Sequence, residues 1–185
     1  MNNNIFEEIK KLNNTLNQFE WGYPDENGKN IVETDDFENY QLLSNNKFLE
    51  NKIGTCWDYT NYEIIWFMKH GFIHTKNALR NEMACCYYVE SEDESNHTWL
   101  AYMLNDFVYL FESSWKSYVG IKKFINEFEM INYYADLFKQ YGNYKTINVW
   151  KYMRFPCINM DPWDFMQNIK QYGKHVYPKL NKKSS

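Results

Sequence analysis

Apolar positions along the chain follow two different periods. Over residues 4–19, Ile5, Ile9, Leu12, Leu16 and Phe19 recur at helical spacings of three and four, which predicts a first helix. Residues 21–37 are polar and turn-rich, with Pro24-Asp25 and Asn27-Gly28 as turn signals. Residues 36–51 predict one or two short helical turns around Tyr40, Leu42, Leu43, Phe48 and Leu49. A stronger helix is predicted over 55–70: Gly54 breaks the chain, Thr55 supplies a cap, Asp58 stands at the third helical position and Gly71 follows the end.

The period then shortens to two. Residues 72–79, 83–90, 97–104 and 107–112 are rich in aromatic and branched side chains and predict four strands. Asn105-Asp106 is a hairpin turn between the last two, since both residue types tolerate positive φ. Beyond Trp115, the positions Ile121, Phe124, Ile125, Phe128, Ile131, Tyr134 and Leu137 predict a helix of about 20 residues. Residues 147–155 predict an edge strand, and Asp161-Pro162 opens a last helix with Asp as cap. No repeat or linker interrupts this order. It predicts one α+β domain over 1–185, with 179–185 as a frayed tail.

Composition narrows the function classes. Apolar residues are 44% and charged residues 24%, a globular balance, while aromatics reach 19%. The net charge of −4 and the acidic run Glu90–Glu94 leave no basic stripe, so no nucleic-acid partner is expected. No apolar run approaches the roughly 18–20 residues of a membrane span. The opening residues 1–8 lack a basic and an apolar region, which predicts no signal peptide and a cytoplasmic protein. The four cysteines are then reduced thiols. No C-x-x-C pair occurs, so no metal or other cofactor is expected.

Candidate chemistry begins at Cys56, in the first turn of a predicted helix. Free N–H groups and the helix dipole favour an anion there, and the thiolate is the nucleophilic form of cysteine. The blander reading is a small buried hydrophobe, which is assigned to Cys85, Cys86 and Cys157. His97 opens a strand. With Asn105-Asp106 as the turn, His97, Trp99, Ala101 and Met103 share one face with Val108, Leu110, Glu112 and Ser114 of the next strand. Glu112 is then the diagonal neighbour of His97, roughly 7 Å away at Cβ, where it can orient the imidazole. Alternatively Glu112 ends its strand in solvent. His70, His74 and His175 receive no chemistry.

These residues carry a family resemblance. Gly54-Thr55-Cys56-Trp57-Asp58 is similar to the Gly-x-Cys-Trp nucleophile motif of the transglutaminase-like group within the papain-like cysteine-enzyme superfamily. His97-Thr98-Trp99 resembles that group's His-x-Trp, and Glu112 falls where the group places its Asp. Short bacterial and phage members carry a run similar to Phe111-Glu112-Ser113-Ser114-Trp115. The resemblance covers about residues 40–140, with its motif core in 54–115. Glu in place of Asp is the main departure, and Ser113 or Ser114 could share the orienting role.

The resemblance implies a transglutaminase-like core, with the nucleophile at a helix N-terminus packed on an antiparallel sheet and further helices towards the C-terminus. It implies a thiol nucleophile, Cys56, a base, His97, and an orienting acid, Glu112, acting on an amide bond of a peptide or protein. Hydrolysis, as in a cysteine protease or deamidase, fits better than cross-linking. The Cys56 N–H would hold the oxyanion with a second donor, for which Gln41, Tyr40, Asn45 and Asn46 are candidates. Trp57 packs beside the nucleophile, and Trp99 either walls the site or belongs to the core. The competing expectation is an inactive binding module on the same fold. Such a module would recognise a peptide or glycan through aromatic residues, Tyr133, Tyr134, Tyr141, Tyr144, Trp150, Tyr152 and Trp163 being the unplaced group.

Overall fold

The three-and-four spacing of the first segment folds as α1 (Asn2–Leu16), burying Ile9, Leu12 and Leu16. The turn-rich stretch after it holds three short strands, β1 (Glu20–Trp21), β2 (Tyr23–Pro24) and β3 (Asn30–Ile31), of which β2 and β3 form a hairpin. The computed structural model describes residues 2–25, 27–31, 40–72, 83–153 and 159–178. The expected strand 72–79 falls outside these residues apart from Phe72, as do His74, Cys157 and the tail 179–185.

α2 (Asn45–Asn51) begins at Ser44, whose hydroxyl accepts the Lys47 N–H at 3.3 Å. β4 (Ile53–Gly54) pairs parallel to β1, with Trp21 opposite Gly54, and runs straight into α3 (Cys56–Lys69). A Cβ on Gly54 would stand 2.8 Å from the Phe48 ring and 3.0 Å from the Asp58 Cβ. Only glycine lets the chain enter α3 this closely.

The main sheet has six antiparallel strands. They are β5 (Ala84–Ser91), β6 (Asn96–Leu104), β7 (Phe107–Glu112), β8 (Gly120–Phe124), β9 (Ile147–Tyr152) and β10 (Lys174–Tyr177), in the order β10-β9-β5-β6-β7-β8. The β6–β7 turn has Asn105 at φ 51° and Asp106 at φ 66°, and it sets the register Leu104↔Phe107 through Leu100↔Phe111. α4 (Glu127–Gly142) and α5 (Pro162–Tyr172) complete the described elements. Asp161 caps α5, accepting the Asp164 N–H at 2.9 Å, with Pro162 as its first residue.

Strand alternation divides the core between the two sheet faces. Cys86, Tyr88, Leu100, Tyr102 and Phe111 pack with residues of α1, α3 and α5. Cys85, Tyr87, Trp99, Val108 and Leu110 pack with α4 through Met130, Ile131, Tyr134 and Phe138. The adjacent Cys85 and Cys86 thus point to opposite faces, as the pleat requires. The described chain is therefore a mixed α+β structure. None of its helices is long and apolar enough to cross a membrane.

Two expectations need correction. The long helix predicted from Ile121 is two elements: residues 120–124 form β8, and α4 starts only after Asn126, whose side chain accepts the Glu129 N–H at 2.9 Å. Ile121, Phe124 and Ile125 mimic a helical spacing, but β8 supplies ladder partners to the backbone of β7, from Val108↔Phe124 to Glu112↔Gly120. The strand at 147–152 is interior, not an edge, because β10 pairs along its outer side. β10 has a weak strand pattern, Lys174-His175-Val176-Tyr177, and escaped the sequence reading.

Candidate active site

Cys56 is the first residue of α3, and two sets of hydrogen bonds fix it there. The buried Asp58 carboxylate accepts the Thr55 N–H and the Thr55 hydroxyl at 2.8 Å each, the Leu43 N–H at 2.8 Å and the Tyr40 hydroxyl. Burial raises the Asp58 pKa, and these four bonds oppose that rise. The Cys56 carbonyl accepts the Thr98 hydroxyl at 3.0 Å. Thr98 has one proton to give, so in its 2.9 Å contact with Thr60 the donor is Thr60. This chain ties the first turn of α3 to β6 at the residue next to His97.

His97 is 8% exposed and Glu112 1% exposed. Both lie on the α4 side of the sheet, at the end where β6 begins and β7 finishes. His97 Nε2 donates to Glu112 Oε2 at 3.0 Å. Cys56 stands beside His97, at the same pocket, and acts on its titration. With Nε2 engaged by Glu112, Nδ1 is the ring nitrogen left for other chemistry. Burial acts to lower the His97 pKa, but the charges of Glu112 and Cys56 outweigh it and push the imidazole up to about 10.

Glu112 is held by more than His97. Its Oε1 accepts the Ser114 N–H and hydroxyl, both at 3.0 Å, and the Trp115 N–H at 2.9 Å. Its Oε2 accepts the Tyr134 hydroxyl at 2.6 Å. Burial works to raise this carboxyl, and the bonds from His97, Tyr134 and Trp115 prevail, keeping it below the ordinary carboxylate range. Asn13 of α1 donates to the Glu112 backbone carbonyl at 2.9 Å. Tyr134 also stacks on Trp99, with centroids 3.8 Å apart.

A second buried acid, Glu63, lies two turns along α3 from Cys56 and accepts the Ser113 hydroxyl. Burial, with the nearby Glu112 charge, pushes its carboxyl up to about 8 against the Ser113 bond. Burial thus favours the neutral form of Glu63, while the bonds around Glu112 favour its charged form. Two carboxyl groups in one region are tolerated because their environments drive their pKa values apart.

Cys56 and His97 open onto a pocket of about 370 Å³. Trp21, Trp115, Phe138 and Tyr141 form its apolar walls, and Asn96, Ser114, Lys116 and Ser117 its polar part. The structure thus brings Cys56, His97 and Glu112 together. Trp57 is buried against Phe165, and Trp99 is buried between Tyr87 and Tyr134; neither lines this pocket. Gln41 is exposed outside the pocket lining, Tyr40 is engaged by Asp58, and Asn45 and Asn46 begin α2. Of the unplaced aromatic group, Tyr134 and Tyr152 are buried, Tyr141 and Trp163 are exposed, and only Tyr141 lines the pocket.

Sequence reasoning missed Trp21, Tyr134, Thr98 and Glu63 as neighbours of the site. Glu63 alone carried a sequence signal, an acid seven positions from Cys56 on a helix otherwise rich in apolar residues. His70 stacks on Trp66 at 3.7 Å and His175 bonds Asn148 at 3.1 Å, both away from the pocket. Among the described residues, no group of three or more His, Cys, Asp or Glu side chains is arranged to hold a metal. Compared with known proteins, the chain matches no family model and no curated protein.

Proposed function

We propose that this protein is a cysteine-dependent acyl-transfer enzyme acting on an amide bond, built on a transglutaminase-like core. The observation that carries this reading is that His97, bonded through Nε2 to the buried Glu112, lines one pocket with Cys56 at the first turn of α3. Cys56 attacks the amide carbonyl as the thiolate, with His97 as the paired imidazolium. The developing oxyanion sits at the N-terminus of α3, where the Cys56 N–H can donate. His97 then passes a ring proton to the leaving amine, and the acyl group stays on sulfur. Water activated by His97 releases it. Glu112 fixes the ring and stabilises its charge throughout.

Peptide or protein amides are the substrate class, and hydrolysis is the favoured outcome. The test is labelling by an electrophilic peptide probe such as a vinyl sulfone, followed by peptide mapping. Modification confined to Cys56, and lost in His97→Ala, is the expected result. Labelling that survives His97→Ala overturns the assignment of His97. The competing reading, an inactive binding module, draws on the exposed Trp21 and Tyr141 at the pocket mouth, 45% and 64% accessible. It predicts no selective labelling of Cys56.

A further inference from the structure

We propose that the pocket beside His97 is the amine-side subsite of this reaction, and that it takes an uncharged residue with an aromatic or large apolar side chain. The inference rests on the acyl-transfer reading and adds to it where the amine sits and what that amine carries.

Sidedness comes from the elements that build the pocket. Asn96 and His97 begin β6, and Ser114 to Ser117 follow Glu112 in the connection to β8. The volume therefore extends from Cys56 along the base side, and Cys56 is the one described residue of α3 in its lining. In acyl transfer the acyl group remains on sulfur, while the base protonates the departing amine and deprotonates the entering nucleophile. Both occupy the space next to His97. In the second step the entering nitrogen bonds to the carbonyl carbon as the carbon–sulfur bond breaks. The amine proton passes to His97 and the sulfur leaves as thiolate.

Size and lining then define the occupant. A volume of about 370 Å³ far exceeds what one attacking water needs, about 30 Å³. Trp115 is the centre of the wall, with Tyr141 edge-on at 4.9 Å and Phe138 at 6.0 Å. Trp21 closes the mouth from the β1 side. Such a cluster accepts a further ring in an edge or offset contact. Among the described residues no carboxylate lines the pocket, so a cationic side chain meets His97 and Lys116 there without a counter-charge. The Lys116 ammonium is bound by the Asn17 carbonyl at 2.9 Å, just past α1. The ammonium keeps two protons, but the His97 charge is already paired with Glu112, so an acidic side chain would find one cation in a wall made mostly of aromatic rings.

The test uses p-nitrophenyl acetate as a minimal acyl donor. Cys56 acetylation is followed by mass spectrometry, and discharge of the adduct is measured with four amine acceptors: phenylalaninamide, glycinamide, argininamide and glutamic acid α-amide. All react through an α-amine of similar basicity, so the intrinsic reactivity is matched. Uncatalysed aminolysis is subtracted with Cys56→Ala. Phenylalaninamide should compete with water about tenfold better than the other three, the scale of an apolar pocket's discrimination. Tyr141→Ala should bring the four acceptors to within about twofold, and Tyr141→Phe should keep the preference. Equal trapping, a preference for the charged amides, or an adduct that no amine discharges overturns the subsite. Absence of any acetyl adduct on Cys56 overturns the acyl-transfer reading beneath it.

Discussion

His97 Nε2 stands 3.0 Å from Glu112 Oε2, and this contact leaves Nδ1 as the nitrogen free to exchange a proton. It is also a buried ion pair, and its two partners hold each other charged. Replacing Glu112 by Gln keeps the size and removes the charge. Stability should fall by about 3–5 kcal/mol, because one partner of a buried pair is left alone. Acyl transfer should fall by up to about 10⁴-fold, as when a base loses its orienting acid. The His97 titration, followed by NMR, should move down from about 10, since burial then acts unopposed by Glu112.

Tyr134 bonds the same Glu112 oxygen at 2.6 Å. Tyr134→Phe removes only the hydroxyl, and the stacking on Trp99 survives. The expected loss is about 1.5–3 kcal/mol, the range for a hydrogen bond to a charged group. With one donor gone, Glu112 is protonated at higher pH. The acid limb of the Cys56 labelling rate, measured as a pH profile, should shift upward accordingly.

Stability should depend on pH in a defined direction. His97 is raised from 6.5 to about 10, so its contribution is full below about 6.5 and is lost as pH rises to about 10. Glu63 is raised from 4.5 to about 8, so its contribution is full below 4.5 and gone by about 8. Glu112 is lowered, so its contribution is present above 4.5 and is lost as pH falls. Urea unfolding should therefore show stability falling between about pH 4.5 and pH 10. Glu63→Gln should flatten the part between about pH 4.5 and 6.5, reduce the slope from there to about pH 8, and leave the later part, which belongs to His97.

The sequence reading reached what local chemistry decides. Thr55, Asp58 and Gly54 announce the start of α3 because caps and close approaches are contacts between near neighbours. Asn105-Asp106 fixes the hairpin register, and the register puts Glu112 on the diagonal of His97. What it missed depends on distant partners. Ile121 and Phe124 fit a helical spacing, yet the backbone of β7 requires them as a strand. Trp21 is brought to Cys56 by the β1–β4 pairing, and Tyr134 to Glu112 by the packing of α4 on the sheet. Neither relation has a trace in spacing along the chain.

Thr98 should act on the site through position alone. Its hydroxyl links the Cys56 carbonyl to Thr60. Thr98→Val leaves the buried Thr60 hydroxyl and the Cys56 carbonyl each short of a partner, at about 1–3 kcal/mol. Labelling of Cys56 should slow while the pH midpoints of its profile stay in place. Thr98→Ser should restore the rate. A shifted profile in Thr98→Val would assign the residue an electrostatic role instead.

The central claim is that His97 and Glu112 activate Cys56. The most direct measurement is the rate of iodoacetamide alkylation at about pH 5.5, where an ordinary thiol is almost wholly protonated. Peptide mapping resolves Cys56 from Cys85, Cys86 and Cys157. The account predicts that Cys56 reacts at least about tenfold faster than the other three, and that His97→Ala abolishes the advantage. Alkylation of Cys56 no faster than that of Cys85 or Cys86, or an advantage that survives His97→Ala, would contradict it.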